Sequence, residues 1–76
     1  MKHEIMIWIN GRLVESIESG DLKRAYREAH KDARRWAHDT KGQFVHLDCY
    51  NASGKLVMTG IYYNSGWNVD YYLERA

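Results

Sequence analysis

The longest periodic stretch of the chain, residues 19–42, predicts an amphipathic helix. Apolar residues recur in it at spacings of three and four, which places them on one stripe of a helix. Ser19 or Asp21 is suited to cap its N-terminus, and Gly42 is suited to end it in a left-handed conformation. Alanine recurs in this stripe at every fourth residue of the chain, and such small side chains allow the helix to lie close to a sheet. The predicted buried stripe consists of Leu22, Ala25, Tyr26, Ala29, Ala33, Trp36 and Ala37.

A β-hairpin is predicted before this helix. Residues 4–9 and 12–17 are rich in β-branched and aromatic residues, and Asn10-Gly11 between them suits a type I′ turn. A two-residue turn pairs Ile9 with Arg12 and fixes which side chains share a face. We expect Ile5, Ile7, Ile9 and Val14 on one face and Met6, Trp8, Leu13 and Ile17 on the other.

A second hairpin is predicted after the helix. Residues 43–50 and 55–63 alternate between apolar and polar, and the sequence Asn-Ala-Ser-Gly separates them. A four-residue loop pairs Tyr50 with Lys55 and Leu47 with Met58. We expect one face to carry Val45, Leu47, Cys49, Leu56, Met58 and Tyr62, and the other to carry Phe44, His46, Asp48, Tyr50, Val57, Thr59, Ile61 and Tyr63.

The last segment, residues 67–73, alternates well enough to predict a fifth strand with Trp67, Val69, Tyr71 and Leu73 facing inward. A short terminal helix capped by Asn68 is the alternative. The predicted fold class is therefore α+β, a two-layer β-β-α-β-β-(β) arrangement. A mainly antiparallel sheet of four or five strands carries one helix on one face, and residues 1–76 form a single compact domain.

Composition narrows the setting. Seventy-six residues suffice for one hydrophobic core, and the single Cys49 cannot form an internal disulfide. A lone cysteine fits a reducing compartment. The apolar run after the N-terminus is too short for a signal peptide, and no stretch is long enough to span a bilayer. We therefore expect a cytoplasmic protein that does not contact a membrane.

No residue pattern predicts catalysis. His30 and His38 are more than two helical turns apart, so they cannot bind one metal ion. His46 and Asp48 share a strand face, which is typical of a solvated polar patch, and Cys49 is expected in the core as a small hydrophobe. The glycines are isolated and form no phosphate-binding loop. We expect no enzymatic activity, metal, cofactor or small-molecule substrate.

Charge is unevenly distributed although the net charge is only +1. Residues 20–41 carry seven basic and four acidic side chains. Glu28 and Asp32 lie among the cations at spacings that allow ion pairs with Arg24, Lys31 and Arg35, which favours a solvated, partly neutralised surface. Nucleic-acid binding is the alternative function, either through these cations or through aromatic strand residues that stack on bases. The basic stripe consists of Lys23, Arg24, Arg27, Lys31, Arg34 and Arg35.

The sheet face turned away from the helix, here called the outer face, is predicted to be unusually apolar and aromatic. A sheet covered by one helix normally exposes a polar outer face, and exposed aromatic patches mark interfaces. Two other interpretations remain: the sheet curls so that its strands cover one another, or the faces of the first hairpin are inverted. The predicted patch contains Leu13, Ile17, Val57 and Ile61 in addition to the candidate protein-binding residues Met6, Trp8, Phe44, Tyr50, Tyr63 and Tyr72.

The leading functional hypothesis is a small, non-catalytic protein-binding module that uses the outer face. Its partner would be another protein or a second copy of the chain, which would give a homodimer. By analogy of size and architecture alone, such modules include phage or mobile-element inhibitors of host protein complexes.

Overall fold

The computed structural model describes residues 2–75, which form one antiparallel sheet of five strands and one helix. The elements in chain order are β1 (His3–Ile9), β2 (Arg12–Ser19), α1 (Leu22–Asp39), β3 (Phe44–Tyr50), β4 (Leu56–Asn64) and β5 (Val69–Arg75). The strand order is β2-β1-β3-β4-β5, and all neighbours are antiparallel. The predicted α+β class is confirmed, and the terminal segment is a strand rather than a helix.

The core lies between α1 and the central strands. The four alanines of the predicted stripe, Ala25, Ala29, Ala33 and Ala37, are fully buried. Because an alanine side chain ends at Cβ, the helix can approach the sheet closely while the larger residues come from the strands. Those strand residues are Ile5, Ile7 and Ile9 of β1 and Val45, Leu47 and Cys49 of β3. Leu22, Tyr26 and Trp36 are partly buried around them.

Both ends of α1 are capped by side chains. Asp21 is the N-cap, and its Oδ1 accepts a hydrogen bond of 3.3 Å from the backbone N–H of Arg24. Thr40 is the C-cap, and its hydroxyl donates to the carbonyl of Trp36 at 2.7 Å. Gly42 has the predicted positive φ of 83°. It lies two residues beyond the cap, where its N–H donates to the carbonyl of Asn64 at 2.9 Å.

A β-bulge changes the first hairpin. The Asn10-Gly11 turn and the pairs Ile9–Arg12 and Trp8–Leu13 are as predicted. Beyond them the register shifts by one residue, so that Ile5 lies opposite Ile17 on the helix side of the sheet. The prediction that Ile17 lies on the outer face was therefore wrong, because one extra residue reverses the alternation of every later side chain.

The second hairpin differs in register from the prediction. Leu47 pairs with Gly60, two residues beyond Met58, and a shift of two preserves the faces. A bulge next to Tyr50 then pairs this residue with Leu56 instead of Lys55. The predicted faces of Leu56 and Val57 were consequently wrong, since Leu56 shares the register position of Tyr50 and Val57 packs against the helix-side core.

The tail also departs from the prediction at one residue. Trp67 was expected to face inward, but it lies in the turn before β5 and is 96% exposed. The strand begins two residues later, at Val69, so the alternation that positions Val69 and Tyr71 does not extend to Trp67. This correction leaves a fully exposed indole at one end of the sheet.

Candidate binding surfaces

One row of side chains crosses the whole outer face. Trp8 of β1 pairs with His46 of β3, and Ile61 of β4 lies between His46 and Tyr72 of β5. Leu13 of β2 lies opposite Trp8 and completes the row. At about 4.8 Å per strand, four steps give a nearly continuous apolar band of about 19 Å.

All six candidate protein-binding residues lie on the outer face by register. Phe44 and Tyr72 are the most open of them, with 52% and 56% of their surfaces exposed. The rings of Phe44 and Tyr63 are 4.7 Å apart and support each other. The remaining four, Met6, Trp8, Tyr50 and Tyr63, are half-buried by their neighbours within the sheet.

Trp8 carries an unusual polar group. Its Nε1–H is shielded from solvent and has no hydrogen-bond acceptor among residues 2–75. A buried donor without an acceptor costs about 1–3 kcal/mol relative to a satisfied one. The unsatisfied Nε1–H of Trp8 therefore lowers the stability of the fold.

The outer face is acidic as well as aromatic. Glu4, Glu18, Asp48 and Asp70 occupy its register positions. Among the described residues, none of the lysines and arginines shares a register position on this face. Asp48 is partly compensated by the hydroxyl of Thr59, which donates to its Oδ1 at 3.1 Å. Repulsion between this surface and phosphates follows from the uncompensated carboxylates.

The opposite side of the sheet carries an aromatic cluster that sequence reasoning did not single out. Nδ1 of His30 and the hydroxyl of Tyr62 are 3.2 Å apart, and the ring of Tyr71 lies edge-on to His30 at 5.1 Å. Tyr62 and Tyr71 are themselves 4.7 Å apart, and Tyr26 stacks on His30 at 5.9 Å. The sequence did indicate this cluster, because Tyr26 and His30 are one helical turn apart and both Tyr62 and Tyr71 were predicted to face inward.

Burial controls ionisation in this cluster. It lowers the pKa of His30 below its usual 6.5, so the imidazole is neutral at pH 7. It raises the pKa of Tyr62, as does neighbouring Tyr71, while the positive charge of Arg34 acts in the opposite direction. Burial likewise raises the pKa of Tyr71. The cluster therefore contributes polar but uncharged rings next to an arginine.

Gly60 provides the space that the cluster needs. A Cβ built on this buried glycine would lie 3.0 Å from both Cε1 and the hydroxyl oxygen of Tyr71. The Tyr71 ring therefore lies across the bare backbone of β4, a position that any larger residue would obstruct.

Three adjoining concavities follow α1 on the side of β4 and β5, and we call them together the groove. The first has a volume of about 500 Å³ and contains Tyr26, His30 and Tyr71 in its wall. The second, of about 530 Å³, is lined by His30, Lys31, Arg34, Arg35, His38 and Tyr62. The third, of about 510 Å³, includes Arg34, His38, Lys41 and Trp67. His30 lines both the first and the second, and Arg34 and His38 line both the second and the third.

The basic stripe is exposed throughout, but its members differ in pairing. Arg24 pairs with Glu28 at 3.6 Å and Arg35 with Asp32 at 3.2 Å, as the spacing predicted. No such contact joins Glu28 to Lys31 within the described chain. Only the C-terminal half of the stripe, Lys31, Arg34 and Arg35, lines the groove.

Asn64 connects the groove to the end of α1. Its side-chain amide donates to the carbonyls of Ala37 and His38 at 3.0 and 3.2 Å, and its Oδ1 accepts from the N–H of Gly66 at 2.8 Å. The residue is 9% exposed. Its amide adds donors to two carbonyls of the last turn of α1, where the carbonyl of Ala37 also accepts from the N–H of Thr40, and thereby links α1 to β4.

A carboxylate pair lies at the other edge of α1. Glu15 of β2 accepts a long hydrogen bond of 3.5 Å from Nε1 of Trp36. Its pKa is raised above 4.5, chiefly by a hydrogen bond with Asp32 and by burial, while Trp36 and Arg35 act in the opposite direction. Two carboxyl groups in contact favour holding a proton between them.

The residues weighed for chemistry lie apart from one another. Cys49 is 1% exposed in the core, as predicted, whereas His46 lies on the outer face. Within residues 2–75, no group of three or more His, Cys, Asp or Glu side chains is arranged to hold a metal ion. The described helix is not long and apolar enough to cross a membrane.

Comparisons of the chain with protein-family models, with curated proteins and with solved structures found no significant match. Function is therefore inferred from the geometry and charge of the two surfaces.

Proposed function

We propose that this chain is a non-catalytic protein-binding module and that the outer face is its binding surface. The observation that carries the proposal is the band from Leu13 to Tyr72, which crosses all five strands on the side away from α1. Apolar aromatic bands of this extent are typical of protein interfaces. We further propose that this protein binding takes place in the cytoplasm.

The charges of the outer face favour a basic partner. Glu4, Asp48 and Asp70 lie beside the aromatic band, so a partner with an apolar patch bordered by lysine or arginine would complement it. A two-fold dimer through this face would oppose the acidic residues of both copies and is the less favourable arrangement.

The first test is the mass in solution, measured by light scattering after size exclusion at low and high salt. We expect 9.0 kDa at both salt concentrations. A salt-independent mass of twice that value, abolished by Phe44→Ala with Tyr72→Ala, would contradict the heterologous partner and show that the face binds a second copy.

The decisive test measures the affinity of a purified protein captured by the immobilised chain from a lysate of its source cells. Phe44→Ala and Tyr72→Ala should each weaken binding by about tenfold, the usual loss for an exposed aromatic anchor. Both side chains are more than half exposed, so folding should be unaffected. Trp67→Ala is the matched control, because Trp67 is also exposed but lies outside the outer face. Equal affinities for all variants would refute the proposal.

A further inference from the structure

The groove along α1 has both exposed aromatic rings and cations without neighbouring carboxylates in its lining. The outer face has exposed rings but no described lysine or arginine at its register positions. Tyr71 is 40% exposed at one end of the groove, and Trp67 is 96% exposed at the other. Aromatic rings in these positions are platforms on which unpaired bases can stack. The two rings are four residues apart along the chain that forms the edge of the sheet.

Cations border the same groove. Lys31, Arg34 and Lys41 line it, and all three are exposed. Arg34 lies close enough to the Tyr62 hydroxyl to act on its ionisation. Within the described chain, no aspartate or glutamate is among the residues that line the three concavities. An anionic ligand is therefore complementary in charge, and a cationic one is not.

The shape of the groove favours a chain over a compact ligand. Its three concavities adjoin along α1, and the segment from Trp67 to Leu73 spans roughly 20 Å if extended. That length suits the lower limit of single-strand sites, about four nucleotides. Duplex bases are already stacked on one another, so they would leave Tyr71 and Trp67 unused.

We propose that the groove binds single-stranded nucleic acid, with phosphates at Lys31, Arg34 and Lys41 and bases stacked on Tyr71 and Trp67. An acidic peptide would use the same cations but would have no need of the ring faces. This site is separate from the outer face and does not depend on the proposed function, so either can fail alone.

The test is fluorescence anisotropy of the full chain with a labelled twelve-nucleotide thymidine strand. Affinity should fall with salt, with a log–log slope of about −2 for three phosphate contacts at roughly 0.7 each. A poly-glutamate peptide of equal length and a DNA duplex are the competing ligands. No binding at low salt, a flat salt dependence, or equal binding of either competitor would overturn the proposal.

The neighbouring tyrosines of β5 provide the matched variants. Tyr71→Leu should weaken binding by roughly 5- to 100-fold, the range for losing one stacked base. Tyr72→Leu alters the outer face and not the groove, so it should leave oligonucleotide binding unchanged. Trp67→Leu should weaken binding by a similar factor, and at 96% exposure this side chain cannot be needed for folding. Equal effects of the Tyr71 and Tyr72 variants, or no effect of Trp67→Leu, would refute the placement.

A second pair of variants distinguishes a cation that lines the groove from an exposed cation that does not. Arg34→Gln should weaken binding and reduce the salt slope by about 0.7, which corresponds to one lost phosphate contact. Arg24→Gln is the control, because Arg24 is also exposed but pairs with Glu28 and does not line the groove. Equal effects of the two substitutions would show that binding follows general charge and would overturn the assignment to the groove.

Discussion

Tyr71 and Tyr72 are adjacent in the sequence but lie in opposite electrostatic surroundings. Tyr71 belongs to the groove, next to His30, Tyr62 and the cations of α1. Tyr72 belongs to the outer face, opposite Ile61 and among carboxylates. The pleat of one edge strand thus distributes two identical side chains between a basic surface and an acidic one.

This contrast shows why the net charge of +1 is a poor guide to binding. The described lysines and arginines are absent from the register positions of the outer face, whereas that face carries four described carboxylates. The two surfaces nearly cancel in the total but not in space, since charges separated by more than about 10 Å are screened from each other at 0.1 M salt. We therefore expect the two surfaces to favour ligands of opposite charge.

Replacement of Asn64 should destabilise the protein, and with it the groove, more than any of the substitutions that follow. Asn64→Ala removes two donors from the carbonyls at the end of α1 and leaves those groups without the amide, which should cost about 2–3 kcal/mol. Urea unfolding followed by circular dichroism measures this loss. Asn64→Asp should be at least as harmful, because a carboxylate cannot donate to those carbonyls.

Gln43→Ala is a suitable control for Asn64, since it truncates an exposed amide side chain near the same helix end. Its effect should stay within about 0.5 kcal/mol. If the Asn64 and Gln43 variants unfolded at the same urea concentration, Asn64 would not be fastening α1 to the sheet.

Gly60→Ala should affect the groove but not the outer face. The new methyl group would meet the Tyr71 ring at 3.0 Å, so the ring must move, with an expected cost of about 1 kcal/mol in unfolding free energy. The same displacement should weaken oligonucleotide binding and leave the affinity for the protein partner unchanged.

A double-mutant cycle separates this crowding from a general strand effect. In Tyr71→Leu protein, Gly60→Ala should cost less than it does in the wild type, because the obstructing ring is absent. Additive losses would mean that the methyl group acts through something other than Tyr71.

The smallest expected effect concerns Glu15 of β2, which does not itself line the groove. Because its folded-state pKa lies above 4.5, the folded protein binds this proton more tightly than the unfolded chain does. The free energy of unfolding should therefore fall as the pH rises from about 4.5 through the folded-state pKa, where Glu15 becomes ionised beside Asp32.

Glu15→Gln removes that ionisation and can still accept from Trp36. We expect a gain of about 0.5 kcal/mol at pH 7 and a flatter pH dependence of stability than in the wild type, measured by urea titrations between pH 4 and 7. A wild-type profile that stayed steep in the Glu15 variant would assign the proton to another group.

Short-range sequence patterns were sufficient to predict the helix and the sheet face on which most strand residues lie. The alanine spacing of α1 determines a narrow apolar stripe, and Asn10-Gly11 determines a tight turn, because both depend on backbone preferences of neighbouring residues. The six candidate residues of the outer face were reached in this way. Even the two-residue register error in the second hairpin left these faces unchanged, since side chains alternate with a period of two.

Only the tertiary structure determined the bulges, the cap and the groove. The extra residues at Val14 and Val57 form bulges, and they moved Ile17, Leu56 and Val57 to the faces opposite those predicted. Asn64 caps a helix that ends 25 residues earlier, at Asp39. Contacts between distant segments decide such features, and neither alternation nor spacing along the chain encodes them. The sequence by itself therefore determined the elements and the outer face, whereas packing of α1 against β4 and β5 created the groove.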